Sequence, residues 1–203
     1  MDFKTHLETA WNMTLKHIVM LILMTVVSLA VSFFTLGILG PVVMAGFIQS
    51  IIRMMREGRA PRVEDLFSQM RLFLPLLGFS IAVCIAVMIG MMLFILPGLA
   101  IVMAVTFGCL YVLPLMTDRR MGLVDAVKTS WQMALQKSVA DHIVVVILFV
   151  GLIAVGGSIF IGILFTQPFA LVFVVSVYLE RIDAPSAPGA HPPYPPEGMG
   201  PVS

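Results

Sequence analysis

The sequence predicts an all-α integral membrane protein of six transmembrane helices. They are arranged as three hairpins, each preceded by an amphipathic interfacial helix, with both termini cytoplasmic. Three observations carry this reading. Hydrophobic residues make up 60% of the 203 and charged residues only 11%, with a mean hydropathy of +1.05, against roughly 45–50% and about 25% in a soluble domain. The charges are segregated: His17–Ile52, Leu72–Thr117 and His142–Leu179 contain no Asp, Glu, Lys or Arg. Each of these runs is broken near its middle by a proline, at Gly40-Pro41, Pro97-Gly98 and Gln167-Pro168. So few charges cannot coat a soluble protein of this size, and one charge near the centre of a spanning helix costs about 2.5–3.5 kcal/mol.

A spanning helix takes about 20 apolar residues, so runs of 36, 46 and 38 residues each hold two. Proline suits the first turn of a helix, where its missing N–H is not needed. The turns at Gly40, Pro41, Pro97, Gly98 and Pro168 therefore divide the runs into helices over about 17–36, 39–56, 73–95, 98–116, 143–164 and 167–180. The hairpins cover 17–56, 73–116 and 143–180 of a single membrane domain, 1–181. All basic residues fall on one side of this arrangement, which marks that side as cytoplasmic. Pro41 to Arg53 and Pro168 to Glu180 are each 12 residues, or about 18 Å, short of the ~30 Å hydrocarbon core. The second and sixth helices must begin before their prolines, snorkel Arg53 and Arg56, or stop short as re-entrant hairpins.

A charged amphipathic segment precedes each hairpin. In the middle one Val63, Leu66, Phe67 and Met70 follow helical spacing after Pro61. In the third, Val124, Val127, Trp131, Leu135 and Val139 line one face; in the first, Leu7, Trp11, Thr14, Leu15 and Ile18 do. Thr9–Leu15 also matches Thr129–Leu135 in sequence, so the unit reads as a threefold repeat. Trp11, Phe67 and Trp131 are the expected interfacial anchors, since an aromatic ring with an apolar body suits the membrane boundary.

Within the membrane, small residues recur every fourth position: Ala82, Ala86 and Gly90; Ala100, Ala104 and Gly108; Ala154, Ser158 and Gly162. Such rows let helix backbones approach closely. About a turn centred at Pro97, Gly90 should face Ala104 and Ala86 should face Gly108. Packing within one chain and a homodimer face are both open readings. Cys84 and Cys109 fall at equal depth about the same turn, where plain packing is expected rather than a disulfide. Gln49 is the expected interhelical hydrogen-bonding group.

The helix interiors contain no Asp, Glu, Lys or Arg, which argues against a proton-coupled carrier. They hold no histidine at depth for a Ser–His protease and no Asp pair for an aspartyl protease. His6, His17, His142 and His191 are interfacial or in the tail and lack ligand spacing. The sequence therefore implies no catalytic residue, no metal and no cofactor. A net charge of +1 argues against nucleic acid. The expected partners are the lipid bilayer and either another membrane protein or a second copy. The expected role is non-enzymatic: structural, assembly or envelope homeostasis. The alternative is a passive channel or transporter for an uncharged or amphiphilic solute, along a polar path through Ser50, Gln49, Thr106 and Tyr111. Residues 182–203, with seven prolines from Asp183 onward, read as a disordered cytoplasmic tail of polyproline character.

Several motifs occur in a set order: Gly40-Pro41 with Gly46, Asp65-Leu66-Phe67 after an arginine-rich loop, Pro97-Gly98-Leu99, Leu113-Pro114-Leu115, then Asp118, Gly122, Ala126 and Ser130. This order resembles bacterial six-helix inner-membrane proteins of the YciC-like kind. It is also similar to the membrane domain that precedes some glycerophosphodiester phosphodiesterases. The likeness covers roughly residues 10–181 and implies a helical bundle in a bacterial inner (cytoplasmic) membrane. It implies no activity, and no phosphodiesterase chemistry carries over. The chain departs from the pattern at Asp141-His142, where an asparagine is expected.

Overall fold

The computed structural model describes residues 3–93, 95–136, 139–158 and 162–183. Helices α1 (Phe3–Lys16) and α2 (Ile18–Phe34) meet at an 87° elbow at His17. They are followed by α3 (Gly40–Glu57), two short 3-10 turns at Val63–Phe67 and Met70–Leu72, α4 (Phe73–Leu93), α5 (Ile95–Cys109), α6 (Val112–Asp118), α7 (Leu123–Gln136), α8 (Val139–Ser158) and α9 (Ile163–Asp183). No strand occurs among the described residues. Among them, four stretches are long and apolar enough to cross a membrane, ending in α4 and comprising α5 with α6, α8 and α9; α1 with α2 makes a fifth if the bent pair counts as one. Helix α2 has only 17 residues, and α3 carries Arg53, Arg56 and Glu57 in its 18, so neither qualifies alone. The expected tail beyond Asp183 lies outside the described residues; 182–183 belong to α9.

The core is built around α9, which packs against α1, α2, α3 and α8 and is buried from Gln167 to Tyr178. About two-thirds (67%) of its apolar window is buried, against 11% for the window that includes α4. Helix α4 pairs with α5 at the periphery and presents apolar side chains such as Ile85, Met88 and Ile89 outward.

The prolines act in three different ways. Pro41 sits in the first turn of α3, and the preceding reversal is made by Leu36 and Gly37, both at positive φ. Helix α3 therefore does not start ahead of its proline. Pro97 lies in the first turn of α5. Pro168 does not mark a turn: α9 begins five residues earlier, at Ile163. The missing N–H leaves one carbonyl without its helical donor, which is tolerable one turn inside the start. The upstream turn is tightened by the Thr166 hydroxyl, which donates to the Gly162 carbonyl at 3.0 Å. With 21 residues, α9 is about 32 Å long, so the sixth helix is not short.

Pro114 breaks the fourth predicted helix into α5 and α6. A proline ring clashes with the carbonyl four residues back, here at Leu110, and the chain turns at Leu110–Tyr111. Side chains from other helices satisfy the released backbone groups. Ser130 Oγ donates to the Gly108 carbonyl at 2.6 Å and accepts from the Tyr111 N–H at 3.3 Å. The His142 Nε2–H donates to the Phe107 carbonyl at 2.7 Å.

The middle amphipathic segment is not an α-helix. Its two 3-10 turns fold onto α3, burying Leu66 and Asp65. Gly46 makes this approach possible, because a Cβ there would collide with the Leu66 carbonyl oxygen.

The small-residue rows also pack differently. Ala82, Ala86, Ala100, Ala104 and Ala154 are exposed; of the expected set only Gly90 and Gly108 are buried, and Gly162 is half-buried. The Ser158 side chain lies outside the described residues. A Cβ on Gly90 would sit 2.9 Å from the Gly98 Cα, so α4 and α5 close three residues nearer the start of α5 than a Pro97-centred turn requires. Gly108 receives the Trp131 indole instead of Ala86, and the closest approach of α8 to α9 is Gly156 against Thr166. Cys84 is exposed and Cys109 half-buried, both as free thiols.

Gly46→Ala should force the 3-10 turns off α3 and cost about 1–3 kcal/mol, the usual range for overpacking. Gly78→Ala, which meets nothing within 4 Å, should be neutral or slightly stabilising in its helix. Thermal unfolding of the two purified variants in detergent checks the contrast.

Candidate functional site

Two features stand out: an ionic cluster at one end of the bundle and an apolar cavity toward the other. In the cluster, Asp65 is buried beneath α3. It accepts from Ser50 Oγ at 2.8 Å and from Arg59, with Arg53 at 3.5 Å. Asp118, at the end of α6, accepts from Arg56 at 2.7 Å and from the Tyr178 hydroxyl at 3.0 Å. Arg56 and Arg119 also reach Asp183 at 3.5 and 3.9 Å. The ends of α3, α6 and α9 are thereby joined. Burial pushes the Asp65 carboxyl up, but the Arg59 and Ser50 hydrogen bonds and the Arg59 and Arg53 charges outweigh it and hold Asp65 below the ordinary carboxylate value.

Helix α1 reaches the same cluster. His6 Nε2 contacts the Glu180 carboxylate, and Nδ1 is hydrogen-bonded to Ser176 Oγ at 2.7 Å. A carboxylate only accepts, so Nε2 carries a proton.

The expected anchors sit on rotated faces. Helix α1 buries His6, Ala10 and Thr14, and α7 buries Ala126, Ser130 and Ala134. These are equivalent positions in the matched Trp11 and Trp131 segments. Small residues meet the bundle in both helices, while Trp11, Leu15, Val124 and Leu135 remain exposed. Trp11 rests edge-on against Phe165 and Phe169 of α9, so α1 lies along α9 rather than apart from it. Trp131 lies over Gly108 and edge-on to Phe107. Phe67 is exposed.

The cavity has a volume of about 540 Å³ and lies between α2, α3, α5, α8 and α9. Ligand sites commonly occupy about 300–1,000 Å³. Its walls are mainly apolar, from Met44, Ile48, Leu113, Ile153, Leu171 and Val174, and no charged residue lines it. Ser28, Ser32, Thr106 and Gln167 supply its polar groups. Thr106 donates to its own helix at the Val102 carbonyl. Ser28 is only 4% exposed, and its hydroxyl has no hydrogen-bond partner. The Ser32 hydroxyl and the Gln167 amide have none either among the described residues.

The suggested polar path does not form. Ser50 bonds Asp65 in the ionic cluster, and Gln49 accepts from Ser68 at 3.4 Å. Tyr111 is fully buried, and only Thr106 reaches the cavity. His142, expected at the interface, is completely buried beside Phe107 and Tyr111. Sequence reasoning missed Ser130 and His142 as partners of the broken helix; Pro114 was the available signal. Among the described residues, no three of His, Cys, Asp and Glu converge as a metal site would need. No family model, no curated protein and no solved structure matches this chain.

Asp65→Asn should lower stability by about 1–2 kcal/mol, a charge-assisted hydrogen bond discounted for arginines that are a third exposed. Because Asp65 is held below its ordinary value, that contribution is full above about pH 4 and is lost as pH falls through the lowered value. The difference between wild type and variant, measured by thermal unfolding, should be flat from about pH 7 to 5 and shrink below about 4. Trp131→Asp should reduce the thermal aggregation temperature in detergent more than Phe67→Asp, because only Trp131 fills a gap over a glycine.

Proposed function

We propose that this chain is a non-enzymatic multi-pass protein of the bacterial inner membrane with a structural, assembly or envelope-homeostasis role. It crosses six times as three hairpins, with both termini in the cytoplasm. The observation that carries the reading is the separation of ends. The charged ends of α3, α6 and α9 are tied together by ion pairs, whereas the reversal between α2 and α3 contains no charge. Basic residues at one end favour the cytoplasmic side. Helices α2 and α3 complete the first hairpin, with Arg53 and Arg56 extending to the boundary. The outward apolar faces of α1 and α7 suit contact with lipid.

A second reading is passive handling of an uncharged or amphiphilic molecule, and the cavity favours it. Two measurements test these readings. With Cys84→Ala and Cys109→Ala as background, a maleimide that cannot cross membranes should label Ile38→Cys in intact cells and Arg62→Cys only after permeabilisation. Labelling in the reverse pattern overturns the topology. Purification in mild detergent should recover a stable partner or second copy, and purified protein in liposomes should give no solute flux above empty vesicles. Robust flux replaces the first reading with the second.

A further inference from the structure

We propose that the cavity binds one neutral lipid: a molecule with a single hydrocarbon chain and an uncharged, hydroxyl-bearing head. Three polar groups without partners point to the head. Buried polar groups are ordinarily hydrogen-bonded, and hydroxyls inside helices usually satisfy themselves on the carbonyl four residues back. Thr25, Thr35, Thr106, Thr117 and Thr166 all do so here. Ser28 and Ser32 do not, and the Gln167 amide joins them on the cavity wall. An amide left unpaired in an apolar site costs about 1–3 kcal/mol, so an occupant that bonds it gains from the pocket.

The position of these groups sets the orientation. Ser32 lies near the end of α2, Gly40 opens α3 and Gln167 lies near the start of α9. All are at the uncharged end of the bundle. From there the walls run toward Ile48, Leu113 and Val174. Along α9, Ile163 to Val174 is about 16 Å. A volume of about 540 Å³ over that length leaves a mean cross-section of roughly 33 Å², room for one extended chain rather than two. The absence of charge from the lining excludes an ionic head, which would be buried without a counter-ion.

The inference deepens the second reading above and rests on the helices lying in lipid. Full-length protein is reconstituted in phosphatidylcholine vesicles with one of three probes carrying the same chain and a photoreactive group at its end. One is a monoacylglycerol, one a fatty-alkyl phosphate and one a plain hydrocarbon. The monoacylglycerol should label peptides around Ile48, Leu113 and Val174 about fivefold to tenfold more than the other two, the ratio expected for one or two hydrogen bonds. Ser28→Ala with Gln167→Leu should reduce it to the hydrocarbon level. Ser32→Ala alone should give a smaller loss and serves if the double variant does not fold. Equal labelling by all three probes, preference for the phosphate, or labelling near Gly40 and Ile163 overturns the inference while leaving the topology standing. Release of the chain from membranes without detergent overturns both.

Discussion

An ionic group does not enter hydrocarbon without a large free-energy cost, and this exclusion organises the chain. It separates the sequence into charged and uncharged zones, and it gathers the charged ends of α3, α6 and α9 in one place. Once gathered, the arginines of α3 need carboxylates, and Asp65, Asp118 and Asp183 supply them. The buried carboxylates Asp65 and Asp118 are each held by more than one donor, the condition under which burial of charge is tolerable. The 3-10 turns between α3 and α4 follow from this demand. A regular amphipathic helix would aim Asp65 outward, whereas the observed turns aim it at Ser50, Arg53 and Arg59.

A second requirement acts on the backbone. In lipid every peptide group must find a partner within the protein, and a helix broken by proline releases several. At Pro114 the solution is non-local: α7 sends Ser130 and α8 sends His142 to the released groups of α5. The break therefore fixes how three helices assemble. At Pro168 the solution is local, with Thr166 closing the preceding turn. The same residue type thus opens α3, divides α5 from α6 and sits inside α9.

The class of fold and the uncharged reversals were legible because they follow from composition and charge spacing alone. Pro41 was legible because Leu36 and Gly37 lie just before it and no helix-forming stretch intervenes. Pro168 was misread because Ile163–Gln167 is as apolar as the helix that follows, and nothing local separates them. The rotated faces of α1 and α7 were illegible for a different reason. Periodicity ranks positions by hydrophobicity, but where the outside is also apolar, the side facing the protein is chosen by size. Ala10, Thr14, Ser130 and Ala134 allow close approach, and the larger Leu15 and Leu135 are left outside. The pairing of Gly108 with Trp131 has the same origin, since a glycine is recognised by what must fit above it. The cavity could not be read at all, because it depends on how five helices diverge.

The contact between α1 and α9 joins residues 170 or more positions apart, as in His6 with Ser176. A ribosome adds residues in order, so the first helix emerges long before the last one exists. Until then His6, Ala10 and Thr14 have no surface to rest on, and Gly156 lacks the neighbour that its missing side chain accommodates. Assembly therefore ends at the carboxyl-terminal side: α9 arrives in a ring of helices already synthesised and completes it. A nascent chain arrested before α9 would expose its polar inner faces to lipid, making such intermediates natural clients of the insertion and quality-control machinery.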